Sequence, residues 1–408
     1  MSARSGSLES LRELNRLRVV EALRERGTAS RAEIARHTGL SRSTVSSLVA
    51  DLQAHGLVVD HLDGESLASM STGRPPTLLA LDRSVGAVLG IDFGHDRILA
   101  AVSDLSRTIL AETVRELDID NRAEDALDLG AELVEDLLDE VGLDHSDVIG
   151  VGVALSGPID HRRGAVHETA ILPGWEGLEV SSEMSRRLGG LPVHLDNDAN
   201  LGALAEVTLG AGREARNALY VMVSSGIGAG LIIDGRPYRG RRGMAGEIGH
   251  VLVDETGPIC RCGNRGCLET YVSGPALAEL LRSSRGSLLT VTEIVRLARE
   301  GDAGCSRAIA DAGRILGRVV AAICNIFNPE MVVVGGDLGE AGDLLLDPMR
   351  EAVGRYAIAP AAADAKVVAG ELGERAQVLG ALALAILQSE HLAAHIAPPA
   401  LSTGGGAR

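Results

Sequence analysis

Glu247-Ile-Gly-His250 and Cys260-Arg-Cys262-Gly-Asn-Arg-Gly-Cys267 stand nine residues apart near the middle of the chain. Together they form a His-x9-Cys-x-Cys-x4-Cys array. Zn²⁺ takes four tetrahedral nitrogen and sulfur ligands, and one His with three Cys is a common closed structural set. Three thiolates this close would otherwise repel one another or oxidise. The chain has five Cys, and three of them fall within eight residues, so chance is a poor account of the cluster. Cys305 and Cys324 sit in apolar helical stretches and read as core residues. His250, Cys260, Cys262 and Cys267 are therefore the expected ligands of one structural zinc ion per chain. A closed set leaves no position for an activated water, which argues against a zinc-dependent hydrolase.

On both sides of this array the texture is α/β. Strands are expected at 88–92, 99–104, 149–155, 193–196, 218–223, 229–233 and 331–334. Helices are expected at about 122–142, 199–210, 274–284, 290–300, 303–328 and 374–395. Four turns join a strand end to Gly or acidic residues: Gly90-Ile-Asp92-Phe-Gly94, Asp196-Asn197-Asp198-Ala-Asn200, Ser224-Ser225-Gly226-Ile-Gly228-Ala-Gly230 and Val334-Gly335-Gly336-Asp337. Gly lets backbone N–H groups approach phosphate oxygens, and a carboxylate at a strand end can act as a base or hold Mg²⁺. One such turn is weak evidence, whereas four in this order are far more specific.

Residues 8–56 have the pattern of three helices. Leu11, Leu14, Leu17, Val20 and Leu23 recur at helical spacing and Gly27 stops the run. Ser30-Arg-Ala-Glu33 is a capping box. Ser41 caps a further helix through about His55, with Val45, Leu48, Val49 and Leu52 on one face. Two helices joined by a tight Gly-containing turn are the signature of a helix-turn-helix, whose second helix enters the DNA major groove. Arg42, Ser43, Thr44, Ser46 and Ser47 crowd its N-terminal half. Residues 57–61 and 77–81 can pair as a wing, and Arg74 in the intervening Gly-Arg-Pro segment can reach a narrow minor groove. A helical protein-interaction module is the competing reading of this segment.

Charge separates the head from the rest. Residues 1–50 hold nine Arg and five Glu, a balance of +4, whereas residues 84–408 carry −18, so only the head suits a polyanion. No apolar run is long enough for a transmembrane helix, and the N-terminus lacks a signal-peptide core. These features and the few Cys fit the cytoplasm.

The order of motifs from about residue 8 to 395 resembles the ROK family of sugar kinases and transcriptional regulators. Leu172-Pro-Gly-Trp175 followed by Asp196-Asn-Asp-Ala-Asn200 matches that family's approach to its active-site Asp, and Glu247-x-Gly-His250, the Cys array and Glu269 match its zinc and sugar segment. The winged helix matches the regulator branch. The resemblance implies an α/β chain with three parts: a winged helix-turn-helix at 1–82, a first lobe at 83–198 joined by the C-terminal helix at 374–395, and a second lobe at 199–373. Together the lobes would form an actin/hexokinase-like (ribonuclease H-like) ATPase fold; beyond the resemblance, Pro-Pro and three Gly make 398–408 an expected disordered tail. It also implies that Asn197, Asp198, Glu247, His250 and Glu269 line a sugar site, with Asp198 corresponding to the base of the kinase members. His250 would serve metal and sugar through its two nitrogens.

The departures point away from catalysis. Kinase members have Asp-x-Gly-Gly-Thr in the first phosphate loop. Here it is Asp92-Phe-Gly94-His95-Asp96, where an imidazole crowds the cradle and a carboxylate repels a γ-phosphate. The second loop keeps Ser225, Gly226 and Gly228 and only partly matches Gly-Thr-Gly. The expectation is a non-enzymatic regulator whose degraded phosphate loops disfavour ATP binding and disfavour phosphoryl transfer more, with Asp198 as a vestigial catalytic candidate. Its partners would be a pseudo-palindromic operator and a small sugar or sugar phosphate, met by a homodimer or homotetramer without a membrane. An active sugar kinase with a DNA-binding head is the alternative.

Overall fold

The computed structural model describes residues 15–388 except 17, 25, 55–56, 62–76, 83–85, 162, 167–171 and 214. Arg74 and the expected tail lie outside the described residues.

In the head, the described residues of 15–26 are helical (α1), and Val19, Val20 and Leu23 are buried. Gly27 ends α1 at φ +68°. After β1 (Thr28–Ser30), Ser30 caps α2 (Arg31–Thr38). Its Oγ accepts from Glu33 N at 3.3 Å, and Glu33 Oε2 accepts from Ser30 N at 2.8 Å. That is the expected capping box. Ser41 Oγ accepts from Thr44 N at 3.1 Å at the start of α3 (Arg42–Ala54). Val45, Leu48, Val49 and Leu52 face the same core as Ile34 and Leu23. β2 (Val58–His61) and β3 (Leu78–Leu81) pair antiparallel, with Val58 opposite Leu81. β1 adds a third strand on the far side of β3.

The body holds two five-stranded mixed sheets. The first contains β4 (Ala87–Phe93), β5 (Arg97–Asp104), β6 (Ile109–Glu116), β7 (Val148–Leu155) and β10 (Val193–Asn197), in the order β10-β7-β4-β5-β6. The hairpin β8 (Ile159–Asp160) and β9 (Ala165–Val166) lies outside it. Helices α4 (Ala123–Val141) and α5 (Val180–Arg187) pack together on this lobe. The Leu172–Trp175 segment closes its core. Trp175 is fully buried 5.4 Å from the Phe93 ring, and its Nε1 donates to Ile119 O at 2.9 Å.

α6 (Asp198–Thr208) leads to the second sheet of β11 (Ala218–Val223), β12 (Ile227–Ile233), β13 (Arg236–Pro237), β14 (Met331–Gly335) and β15 (Lys366–Ala369), in the order β13-β12-β11-β14-β15. Its other helices are α7 (Glu269–Val272), α8 (Gly274–Arg285), α9 (Val291–Arg299), α10 (Ala303–Phe327), α11 (Asp343–Tyr356) and α12 (Ala359–Asp364). Cys305 and Cys324 are buried in α10, as core residues should be.

α13 (Ala376–Gln388) is apolar on nearly every side, the pattern of a helix enclosed by protein. It lies on β4 and β7 and against α6, which in turn rests on β11 and β12. Gly152 permits this approach, since a Cβ there would come within 1.9 Å of Ala381 O. The carboxyl ends of β4, β7, β10, β11 and β14 converge on one cleft, the usual ligand position in α/β sheets.

Candidate ligand cleft and metal centre

The cleft has a volume of about 300 Å³ and is lined by residues from both sheets. It brings together Asn197, Asp198, Glu247, His250 and Glu269 with the loops carrying Asp92, Gly94, Ser225, Gly226 and Gly228.

Asn197 is the N-cap of α6. Its Oδ1 accepts from Ala199 N at 3.0 Å and Asn200 N at 3.2 Å, and its Nδ2 donates to Gly157 O at 3.0 Å. Much of its hydrogen-bonding capacity is thus spent on structure. Asp198 begins α6, with Oδ2 accepting from Ser156 Oγ at 2.6 Å and Oδ1 from Ala199 N at 2.7 Å. Burial still pushes its carboxyl above the usual range, although these hydrogen bonds oppose the shift. Burial and the neighbouring Asp198 push Asp92 up to about 7. Burial, Asp198 and Glu269 do the same to Glu247, also to about 7. The floor of the cleft is therefore crowded with carboxyls in competition for protons.

His250, Cys260, Cys262 and Cys267 place their ligand atoms within 4.8 Å of one another, an arrangement that can hold a metal ion. Cys262 Sγ lies 3.7 Å from Cys267 Sγ, and Cys260 Sγ lies 3.6 Å from His250 Nδ1. Tetrahedral Zn–S bonds of about 2.3 Å require sulfur separations of about 3.8 Å, so the donor set and its spacing fit zinc. His250 turns Nδ1 to the thiols, while Nε2 faces Glu247 Oε2 at 4.0 Å.

Sequence reasoning missed Arg261. It stands between Cys260 and Cys262, and its side chain reaches the cleft and pairs with Glu269. The signal was available. When Cys260 and Cys262 turn to one side for a shared ion, the side chain between them is sent to the other.

In the first loop His95 Nδ1 lies 2.7 Å from Asp120 Oδ1. Burial would lower its pKa, but the hydrogen bond and charge of Asp120 raise it overall. Asp96 is exposed at the cleft mouth. Arg97 spans to Glu374 at 3.0 Å. In the second loop Ser224 Oγ accepts from Asp337 N at 3.0 Å, so this hydroxyl is engaged by the Gly335-Gly336 turn.

On the head, Arg42, Ser43, Ser46 and Ser47 are exposed on α3 and Thr44 is half-buried. Head and cleft together define a DNA-binding regulator built on a sugar-kinase-like body. The chain belongs to the ROK family, whose profile matches residues 88–388, and residues 15–61 match the IclR helix-turn-helix domain. It is 31% identical over 394 residues to a xylose repressor from Caldicellulosiruptor bescii, covering 93% of this chain and 97% of that protein. Among solved structures it resembles a ROK family transcriptional regulator described as a homolog of the E. coli Mlc protein (TM-score 0.77, 25% identity, 95% of this chain and 99% of that one). It also resembles a ROK glucokinase from Streptomyces griseus in complex with glucose and AMPPNP (TM-score 0.66, 30% identity, 74% of this chain and 99% of that one). No helix among the described residues is long and apolar enough to cross a membrane.

Proposed function

We propose that this protein represses genes of carbohydrate uptake or catabolism and that a small sugar or sugar phosphate in the cleft alters its operator affinity. The observation that carries this is a mismatch within one cleft. The carboxylates and His250 suited to a polyhydroxylated ligand converge. The first phosphate loop, by contrast, offers His95 tied to Asp120 and the carboxylate of Asp96 where a γ-phosphate would sit. Carboxylates accept hydroxyl hydrogen bonds, whereas a carboxylate beside phosphate repels it.

Zinc in the Cys₃His set acts by holding the loop and fixing His250, and its closed coordination offers no activated water. The protein acts as a homodimer or homotetramer, so two heads related by a two-fold axis meet a pseudo-palindromic site. Arg42, Ser43, Thr44, Ser46 and Ser47 face the bases, and Arg74 reaches the minor groove. Sugar binding between the lobes changes their angle and releases the operator.

Calorimetric titration against D-xylose, D-glucose and N-acetyl-D-glucosamine, with operator shift assays at fixed salt, tests this. Saturable binding of one sugar that changes operator affinity is expected, and binding of none overturns the reading. The retained Asp198, buried and hydrogen-bonded to Ser156, favours the alternative of an ATP-dependent sugar kinase. ADP release at the kinase range of about 1–100 s⁻¹ would establish that alternative.

A further inference from the structure

Arg261 and Glu269 form a side-on pair at the edge of the cleft. Nε lies 2.8 Å from Oε1 and Nη2 lies 2.9 Å from Oε2. Ile227 N also donates to Oε2, at 3.3 Å. The Glu269 side chain is 10% exposed and that of Arg261 is 34% exposed. Two parallel N–H···O bonds fix both orientation and distance, which a lysine ammonium cannot do. Gly226 makes room for the pair, since a Cβ there would fall within 2.8 Å of Arg261 Nη2 and 3.0 Å of Glu269 Oε2. The second glycine loop thus packs under a guanidinium.

Two consequences follow for a ligand. Most of the acceptor capacity of Glu269 is already taken, so it is a held group with little left to offer. Among the described residues the Nη1 hydrogens of Arg261 meet no acceptor, and they supply donors in a cleft otherwise rich in carboxylates. A sugar hydroxyl can accept from such a donor while it donates to a neighbouring carboxylate.

We propose that Arg261 is a specificity-determining residue of the cleft: it locks Glu269 in place and uses Nη1 to select a sugar with a hydroxyl at one ring position. This rests on the reading of the cleft as a sugar site. It makes the residue between the two cysteines, and not the cysteines themselves, the point at which the metal loop reads the ligand.

The test is a titration of D-glucose, D-xylose and the monodeoxy analogues of D-glucose against five forms of the full chain. These are wild type, Arg261→Met, Arg261→Lys and the double variant Arg261→Met/Glu269→Gln, with Glu269→Gln as the remaining corner of the cycle. Metal content is measured for each. A lost charged hydrogen bond predicts roughly ten- to hundredfold weaker binding by Arg261→Met. Arg261→Lys should recover part of the loss. Wild type should discriminate sharply against one deoxy analogue, and Arg261→Met should not. The double variant should bind no more weakly than the weaker single, because the two residues act as a unit.

Unchanged affinity and deoxy profile in Arg261→Met overturns the proposal, as do additive losses. Equal loss for every analogue, with metal lost from both Arg261 variants, assigns the residue a purely structural role and overturns it too. If wild type binds none of these sugars, the sugar reading itself fails. If wild type binds and Arg261→Met is unchanged, only the role of Arg261 fails.

Discussion

Arg107 of the body reaches Glu21 of the head, with Nη1 2.7 Å from Oε1. Arg107 lies in the turn between β5 and β6 and takes the left-handed conformation at φ +67°. Arg24 joins the pair, with Nη1 3.3 Å from Glu21 Oε2 and Nε donating to Leu105 O at 2.9 Å. Burial raises the Glu21 carboxyl, but Arg107 and Arg24 more than offset this and leave it below the usual range. Burial and the adjacent Arg107 hold Arg24 down to about 10, so it stays charged at neutral pH.

This contact joins the operator-facing domain to a strand that begins at the cleft. We expect Arg107→Ala to leave sugar affinity and operator affinity of the separate states nearly intact while it reduces the effect of one on the other. Ligand couplings are commonly roughly 5–150-fold and must be reciprocal. Titration of sugar with and without saturating operator measures this factor. An unchanged factor in Arg107→Ala would show that the signal travels by another route, such as β3 into β4.

Metal removal should be felt in the cleft. Elemental analysis of protein purified without added metal is expected to give close to one zinc per chain. Cys262→Ser should lose it, because three donors remain of a four-donor set. Sugar affinity should fall with it, because His250 Nδ1 faces Cys260 and its Nε2 faces the cleft. Metal-free protein with wild-type sugar affinity would contradict this link.

At the other end of the molecule, Arg42→Ala should weaken specific operator binding. A bidentate base contact contributes roughly 1–3 kcal/mol of discrimination. Thr44→Ala should have a smaller effect, since its backbone N–H and hydroxyl already engage Ser41. Shift assays at constant salt, with a scrambled competitor, separate base contacts from phosphate contacts. Wild-type binding by both variants would displace α3 from the major groove.

The pH dependence of stability should carry the mark of Asp92. Burial and Asp198 raise its pKa to about 7, from 3.8 for a solvated Asp. The folded state therefore holds a proton that the unfolded chain releases between these values. Stability from this group rises as pH falls from about 7 towards 3.8, and the destabilisation is complete above about 7. Asp92→Asn should melt at a higher temperature than wild type at pH 8, with a difference that shrinks towards pH 5. A constant difference across this range would be incompatible with a protonated Asp92.

How much of this was legible in the sequence depended on local chemistry. The capping box at Ser30, the Ser41 cap, the buried face of α3 and the Cys array all declared themselves, because each is a short-range pattern with one physical meaning. β6 did not. It is an edge strand whose outer positions carry Glu112, Arg115 and Glu116, so its alternation is blurred. β15 is four residues long, and α11 contains Pro348 within its helical run. Asn197 was expected in the ligand site, yet its side chain also caps α6. That dual use appears only when strand and helix are in place. The pairing of Arg261 with Glu269 likewise requires the cysteine loop to fold back onto α7.

The seam between head and body in space does not coincide with the seam in the chain. The last described strand of the head, β3, ends at Leu81, but Leu105 and Arg107 complete the head's underside, and Leu105 is buried in the same cluster as Val20 and Leu52. An engineer who grafts residues 1–82 of another regulator onto this body would set a foreign α1 against a turn shaped for Glu21 and Arg24. A transplantable unit must therefore be discontinuous. It consists of the head together with the five-residue turn Asp104-Leu-Ser-Arg-Thr108, in which Asp104 Oδ1 accepts from Thr108 N at 2.9 Å and Ser106 Oγ at 2.6 Å. Chimeras that carry the turn should inherit a working response to the body's ligand, and those cut at residue 82 should bind DNA without responding to it.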